Sequence, residues 1–176
     1  MRSVNPWPLA MVLLVIGLPT ASRPEEPAGS RGGRYTVVVE GYDWGPGVSK
    51  VILSMGGTVS SARAGDYSVA VKRRTDCAEI PAAQAAGERL VVHAYVSDAK
   101  GQKRDEGEHV TLVLGVAPEW PLGSPFQYAR GGKCSGNVWV DYALTVTEKA
   151  GGRTWDTEAG RIRPLVDRFD LAGRFA

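Results

Sequence analysis

The sequence has few of the side chains that metal sites and thiol catalysis require. Its 176 residues include two histidines, His93 and His109, and two cysteines. Neither histidine has another histidine or a cysteine at metal-ligand spacing, which disfavours a zinc site. The acidic residues before His109 lack the Asp-x-Asp-x-Asp-Gly pattern of a calcium loop. We therefore expect no metal site and no cofactor, and neither cysteine has an evident base that would make it a nucleophile.

Motifs of the common hydrolase and nucleotide-binding folds are also missing. The sequence has no Gly-x-Ser-x-Gly, the strained turn that exposes the nucleophile of an α/β-hydrolase. It has neither Gly-x-x-x-x-Gly-Lys-[Ser/Thr] nor Gly-x-Gly-x-x-Gly. The glycine-rich stretch 131–136 contains Ser135 at the wrong spacing and is typical of a loop before a strand. We predict no catalytic residue in this chain.

Charge of one sign is not in excess. The 21 basic and 19 acidic residues give a net charge of +2, and they are scattered along the chain. A nucleic-acid-binding domain usually concentrates basic residues on one face. The sequence therefore predicts no nucleic-acid partner.

Only one long apolar run occurs, and it lies at the N-terminus. Arg2 precedes ten largely apolar residues, Leu9 to Leu18, and small or helix-breaking residues follow. Ten residues are too few for a membrane-spanning helix, which needs about 20. We predict a signal peptide over residues 1–22, no stable membrane span after cleavage, and a secreted or periplasmic protein; an uncleaved signal anchor is the alternative.

Export gives the two cysteines a structural meaning. In an oxidising compartment an even number of cysteines favours disulfide formation, so we predict a bond between Cys77 and Cys134. Closing a loop of this length would stabilise the fold by about 4 kcal/mol. Two free thiols in loops are the alternative.

The rest of the chain has the pattern of an all-β protein. Residues 23–33 have no apolar periodicity and are predicted to be a flexible linker. Beyond them, short β-branched runs alternate with turn residues and no strong helical periodicity appears, apart from a short candidate over 82–89. We predict an antiparallel β-sandwich over residues 34–165 with about seven strands, at 35–40, 50–55, 67–72, 90–96, 110–114, 138–147 and 154–162.

Tryptophans are the residues that suggest an interaction surface. In the predicted strand 138–147, Val140 and its alternate neighbours form an apolar face, and Trp139 lies on the other face. A tryptophan on an outer face could stack on a sugar or pack against a partner, or a loop could cover it. The candidate interaction residues are Trp44, Trp120, Trp139 and Trp155.

Several sequence blocks resemble a known family. The block Gly41-Tyr42-Asp43-Trp44-Gly45-Pro46-Gly47 and its continuation to Leu53 resemble the immunoglobulin-like N-terminal domain of EstA-type esterases, which are secreted α/β-hydrolases related to polyhydroxybutyrate depolymerases. The blocks 92–98, 124–128 and 137–146 resemble later parts of the same domain, in the same order. The resemblance implies an immunoglobulin-like fold for nearly the whole predicted mature chain.

The resemblance also suggests an accessory role. In the family, a segment similar to 167–175 leads into the hydrolase domain, so residues 166–176 are expected to be a linker-like tail and no hydrolase residue is carried over to this chain. The family implies association with itself or with a hydrolase. We therefore predict a non-catalytic accessory domain; the alternatives are a carbohydrate-binding module and, less favoured, an esterase in its own right.

Overall fold

The structure, a computed structural model, describes residues 34–131 and 134–156. Ten strands and one short helix occur in these ranges, together with single 3-10 turns at Ala64–Asp66 and Pro121–Gly123. The strands are β1 (Tyr35–Tyr42), β2 (Gly45–Val59), β3 (Tyr67–Arg74), β4 (Ala86–Arg89), β5 (Val91–Ser97), β6 (Gly107–Leu114), β7 (Phe126–Ala129), β8 (Gly136–Trp139), β9 (Asp141–Glu148) and β10 (Thr154–Asp156), and the helix is α1 (Ala82–Ala85).

Two antiparallel sheets of four strands enclose the core. The first sheet has the order β1-β2-β6-β5 and the second has the order β10-β9-β3-β4, while β7 and β8 form a separate two-stranded ribbon. Strands β4 and β5 are neighbours in sequence but belong to different sheets, so the chain crosses from one sheet to the other at Leu90. The prediction of an all-β antiparallel sandwich is confirmed, with ten strands in place of seven.

The core follows from alternation along the strands. In β9, Tyr142, Leu144 and Val146 are buried, as the sequence pattern predicts. Leu53 of β2 and Leu112 of β6 meet them from the first sheet, at 0% exposure. Burying one such aliphatic side chain is worth about 1.5–3 kcal/mol, so the facing sheets supply most of the stabilisation.

The predicted strand 138–147 is in fact two strands. The chain changes partner at Val140, whose backbone N–H donates to the carbonyl of Pro125 at 3.0 Å. Before this residue β8 pairs with β7, and after it β9 pairs with β3. The alternation continues across the break, and for this reason the sequence pattern did not reveal it.

The other differences in strand number arise in short segments. The helical candidate 82–89 forms one helical turn, α1, and then strand β4, which pairs with β3. Strand β7 was not predicted, because four residues are too few for a clear period. Of the predicted strand 154–162, β10 covers 154–156, and the remainder lies outside the described residues.

Three predicted segments also lie outside the described residues. These are the signal peptide 1–22, the linker 23–33 and the tail 166–176, all of which remain predictions. Within the described part of the chain, no helix is long and apolar enough to cross a membrane.

Candidate functional site

Two buried arginines organise one end of the sandwich. Arg89, at the end of β4, is 6% exposed, and its Nη2 donates to the carbonyls of Val48 and Gly115, both at 2.9 Å. Its Nη1 donates to the carbonyl of Leu122 at 3.3 Å and to the hydroxyl of Tyr142. Arg89 thus joins the second sheet to β2, to the end of β6 and to the segment that follows β6. We call this end of the sandwich, where β2 begins and β6 ends, the cleft end.

Tyr142 completes this network. Its hydroxyl donates to the carbonyl of Leu122 at 2.6 Å while accepting from Arg89. Burial raises the pKa of Tyr142, which keeps the hydroxyl protonated and able to donate at neutral pH.

Arg73 forms a second anchor and carries an unused donor. It is 2% exposed, at the end of β3, and it donates from Nη1 to the carbonyl of Gln84 at 2.8 Å and from Nη2 to the carbonyl of Phe126 at 2.7 Å. Burial lowers the pKa of the Arg73 guanidinium. Its Nε has no hydrogen-bond partner among the described residues. A buried donor left without a partner costs about 1–3 kcal/mol.

Glycines let the segment between β6 and β7 pack closely on the strands. We call this segment, residues 115–125, the arginine-held loop. A Cβ added to Gly47 would lie 2.6 Å from Val116, and one added to Gly87 would lie 2.7 Å from Leu122. A Cβ on Gly115 would collide with the ring of Trp120. The loop therefore rests on strand backbone at Gly47 and Gly87, and within the loop Trp120 packs on the backbone of Gly115, so a side chain at any of the three would displace it.

The arginine-held loop forms one wall of a cleft of 270 Å³. Three aromatic residues with large exposed surfaces line it: Trp44 at 51%, Trp120 at 43% and Tyr128 at 59%. Trp44, in the turn between β1 and β2, stacks on Tyr42 with ring centroids 5.1 Å apart and an interplanar angle of 12°. These side chains come from three separate parts of the sequence, and we call the site they line the aromatic cleft.

Polar groups share the cleft with these rings. Arg73, Gln84 and Gln127 line it as well, and the Oε1 atom of Gln127 lies 3.5 Å from Arg73 Nη2. Arg73 is the only charged residue among those that line the cleft in the described part of the chain. The cleft thus combines exposed aromatic surface with amide and guanidinium groups.

The predicted disulfide is confirmed, and it constrains a ribbon that contributes to the cleft. Cys77, in the segment after β3, is bonded to Cys134, in the segment before β8, with a Cα–Cα distance of 5.3 Å. The bond therefore ties the connection between β3 and α1 to the ribbon of β7 and β8. Phe126, in that ribbon, lines the cleft.

The four candidate tryptophans have different environments. Trp44 and Trp120 meet in the aromatic cleft. Trp139 is only partly exposed because Phe126 covers it edge to face, with centroids 4.1 Å apart and an interplanar angle of 82°. Trp155 is 0% exposed in the core, and its Nε1 donates to the carbonyl of Ser54 at 3.1 Å. Placing Trp155 on an interaction surface was wrong, since its ring fills the space between the sheets.

Two residues of the cleft were missed from the sequence. Arg73 continues the inward-facing series Tyr67, Val69 and Val71 of β3, so the alternation contained a signal for its burial. Tyr128 lies in the short strand β7, where no pattern could be seen.

The histidines and acidic residues do not assemble a metal site. Among the described residues, no group of three or more His, Cys, Asp or Glu comes close enough to hold a metal ion. The chemistry that the described site offers is therefore stacking and hydrogen bonding.

Comparisons with known proteins agree with this architecture. A family model described as the esterase Ig-like N-terminal domain matches residues 34–160. Among solved structures, the chain resembles the crystal structure of a thermostable esterase, with a TM-score of 0.50 and 16% sequence identity. This match covers 65% of the present chain and 28% of the esterase chain, so the present chain corresponds to a minor part of that protein. No curated protein matches the chain.

These findings identify the class of the fold and then the family. The two antiparallel sheets form an immunoglobulin-like domain. The chain belongs to the esterase Ig-like N-terminal domain family, since the family model spans most of its length. The resemblance inferred from the blocks around Trp44 and Trp139 is confirmed.

Proposed function

We propose that this chain is a non-catalytic accessory domain that associates with an esterase or related hydrolase domain. The observation that carries the proposal is the partial match to the thermostable esterase, of which only 28% corresponds to this fold. In that esterase the immunoglobulin-like fold is a minor part of a longer chain. An accessory role is the simplest function for a domain of this family.

The side of the sandwich formed by β4 and β5 offers a surface for this association. Both are edge strands, and Leu90, which joins them, is 58% exposed. Val92, at 57% exposure, lies where the pairing of β5 with β6 shifts register between Val91 and His93. Exposed aliphatic residues beside an open strand edge are typical of surfaces that a partner covers.

Light scattering coupled to size-exclusion chromatography tests the association. The chain is run alone and mixed with the catalytic domain of an esterase of this family from which the N-terminal domain has been removed. We expect a complex with the catalytic domain, or a homo-oligomer of the chain alone, and we expect the double variant Leu90→Lys/Val92→Lys to abolish it. Trp44→Ala, on a different surface, is the matched control. A strict monomer that ignores the catalytic domain contradicts the proposal.

Two further parts of the proposal have their own measurements. For a non-catalytic domain, hydrolysis of a short-chain p-nitrophenyl ester by the purified chain stays at background. For export to the periplasm or medium, which the Cys77–Cys134 bond supports, mass spectrometry of the exported protein finds a new N-terminus after Ser22. Steady turnover, or retention of residues 1–22, contradicts the respective part.

The carbohydrate-binding alternative would use a different surface. The observation in its favour is the convergence of Trp44, Trp120 and Tyr128 on one cleft, whose lining does not include Leu90 or Val92. The two proposals use different residues, so variants at one set test it without altering the other.

A further inference from the structure

We propose that the aromatic cleft is a binding site for a neutral oligosaccharide, with Trp44, Trp120 and Tyr128 as stacking surfaces and the wall around Arg73 as the hydrogen-bonding side. This inference goes beyond association with a hydrolase and does not depend on it. It gives the carbohydrate alternative a location, a set of residues and a ligand class.

The first argument is the concentration of exposed aromatic surface. Only five large hydrophobic side chains are exposed among the described residues, and three of them, all aromatic, line this one cleft. Single exposed apolar residues need no explanation, but contiguous ones mark binding sites. A sugar ring presents an apolar face of C–H groups that packs against an indole or phenol ring.

The second argument is that the stacking surfaces are held in place. Trp44 is stacked on Tyr42, and Trp120 rests on the backbone at Gly115. The loop that carries Trp120 is fixed by two hydrogen bonds from Arg89 to its main-chain carbonyls, those of Gly115 and Leu122, and Arg89 also bonds to the carbonyl of Val48 in β2. Little side-chain entropy is therefore lost when a ligand binds, which is the condition for useful affinity from a small contact area.

The third argument concerns the polar wall. The wall carries the amide of Gln84 and that of Gln127, whose Oε1 lies 3.5 Å from Arg73 Nη2. A purely apolar ligand would offer these amides no hydrogen bonds. Sugar hydroxyls accept and donate at the edge of the same ring whose face stacks, so one ligand satisfies both kinds of surface. Few other small ligands combine an apolar face with so many hydroxyl groups.

The fourth argument favours a neutral ligand over an anionic one. Arg73 is the only charged residue lining the described cleft, and both of its terminal nitrogens are already bonded to main-chain carbonyls. A phosphate or carboxylate needs a free cation to offset its loss of hydration, and the lining offers none. The volume of 270 Å³ is slightly below the roughly 300–1,000 Å³ of sites for drug-sized molecules, which suits about one enclosed sugar ring with its neighbours on the open rim.

Affinity electrophoresis tests the proposal with defined probes. The full chain is run through gels containing mixed-linkage β-glucan, xylan, galactomannan or the acidic polymer polygalacturonate. Calorimetry then measures binding of the hexasaccharide of any polymer that retards the protein, with decaproline as a peptide probe. We expect retardation by at least one neutral polymer, none by polygalacturonate, and no binding of decaproline in the calorimeter.

The variants assign the binding to the cleft. Exposed side chains are chosen so that the substitutions do not disturb the core. Trp44→Ala and Tyr128→Ala are each expected to weaken binding about ten-fold or more, as for a lost aromatic contact of about 1.4 kcal/mol. Val92→Ala is the matched control, exposed to a similar extent but outside the cleft, and should bind like the unaltered chain. Circular dichroism checks that each variant is folded.

Three outcomes overturn the proposal. These are the absence of retardation on every neutral polymer, binding confined to polygalacturonate or decaproline, and equal loss in Val92→Ala and the cleft variants. The association with a hydrolase is tested by light scattering, which measures the mass of a complex, whereas these experiments measure sugar binding. Failure of one proposal is therefore distinguishable from failure of the other.

Discussion

The two ends of the sandwich use arginine in different ways. At the cleft end, Arg73 and Arg89 are buried and bond to main-chain carbonyls, and no carboxylate of the described residues forms an ion pair with either. At the opposite end, where β9 turns into β10, Arg153 is partly exposed, lies 3.7 Å from Glu148 and stacks over Trp155 at 5.6 Å. At the cleft end arginine joins segments of the chain by hydrogen bonds to carbonyls, and at the opposite end it also does so by an ion pair and by stacking on a ring.

The difference leaves aromatic surface exposed at one end only of the two compared. Arg153 donates to the carbonyl of Met55 at 2.8 Å and covers the buried ring of Trp155, so the opposite end uses its tryptophan to fill the core. At the cleft end the buried arginines support the main chain from within, which leaves Trp44 and Trp120 on the outside. Aromatic side chains that the fold does not need for its core are available for a ligand.

Of the variants that compare the two ends, the one that removes the disulfide should change the free energy of unfolding most. We expect Cys77→Ser/Cys134→Ser to lower the free energy of unfolding by about 4 kcal/mol, because the bond closes a long loop in the unfolded chain. Urea denaturation measures the change. Amide hydrogen exchange should show the loss of protection to be greater in the arginine-held loop than in β10, since the bond lies at the cleft end.

Treatment of both proteins with a reducing agent is the control for the double variant. A reducing agent should destabilise the unaltered chain to the same extent and leave the double variant unchanged. Equal loss of protection at both ends would contradict a local role for the bond at the cleft end.

The sequence indicates the sheets and the disulfide better than the cleft. The face of β9 that carries Leu144 follows directly from a two-residue period, and the pairing of Cys77 with Cys134 follows from their number and the predicted export. These are local or arithmetical signals, and both predictions are confirmed.

The cleft depends on contacts that no local pattern contains. Arg73 and Arg89 bond to the carbonyls of Phe126 and Leu122 in the segments that carry Tyr128 and Trp120, and these two side chains line one cleft with Trp44. Hydrogen bonds to main-chain carbonyls place no demand on the residue type that supplies the carbonyl, so the sequence carries no trace of the partner.

Substituting the arginine at each end compares the two bridges directly. We expect Arg89→Met to lower the free energy of unfolding by about 3 kcal/mol, because the buried carbonyls of Val48 and Gly115 lose their donors. Arg153→Met should cost about 1 kcal/mol, since its partly exposed site lets water replace it. Urea denaturation of both variants tests the ranking, and an equal cost at the two ends would show that burial does not distinguish them.

The glycine seat of Trp120 gives a smaller and more local test. We expect Gly115→Ala to cost about 2 kcal/mol and to change the tryptophan fluorescence, because the new Cβ displaces the ring of Trp120. Gly57→Ala, in β2 towards the opposite end, is the control: no atom lies within 4 Å of the added Cβ. Its stability should change by less than about 0.5 kcal/mol. If Gly115→Ala behaves like the control, Trp120 is not held by close contact with the backbone.

A tyrosine at the opposite end predicts how the fold responds to alkaline pH. Burial, followed by the nearby carboxylates of Glu148 and Asp66, raises the pKa of Tyr67 from 10.0 to about 12. The folded chain therefore holds this proton more tightly than the unfolded chain does. The stability that Tyr67 contributes is complete below pH 10 and is lost as the pH rises from 10 towards 12.

Replacing Tyr67 should reduce that loss only in part. We expect the urea midpoint of Tyr67→Phe to fall less between pH 9 and pH 11 than that of the unaltered chain. Some alkaline sensitivity should remain in Tyr67→Phe, because burial at the cleft end raises the pKa of Tyr142 as well. A fall in Tyr67→Phe as large as in the unaltered chain would place the alkaline sensitivity at the cleft end alone.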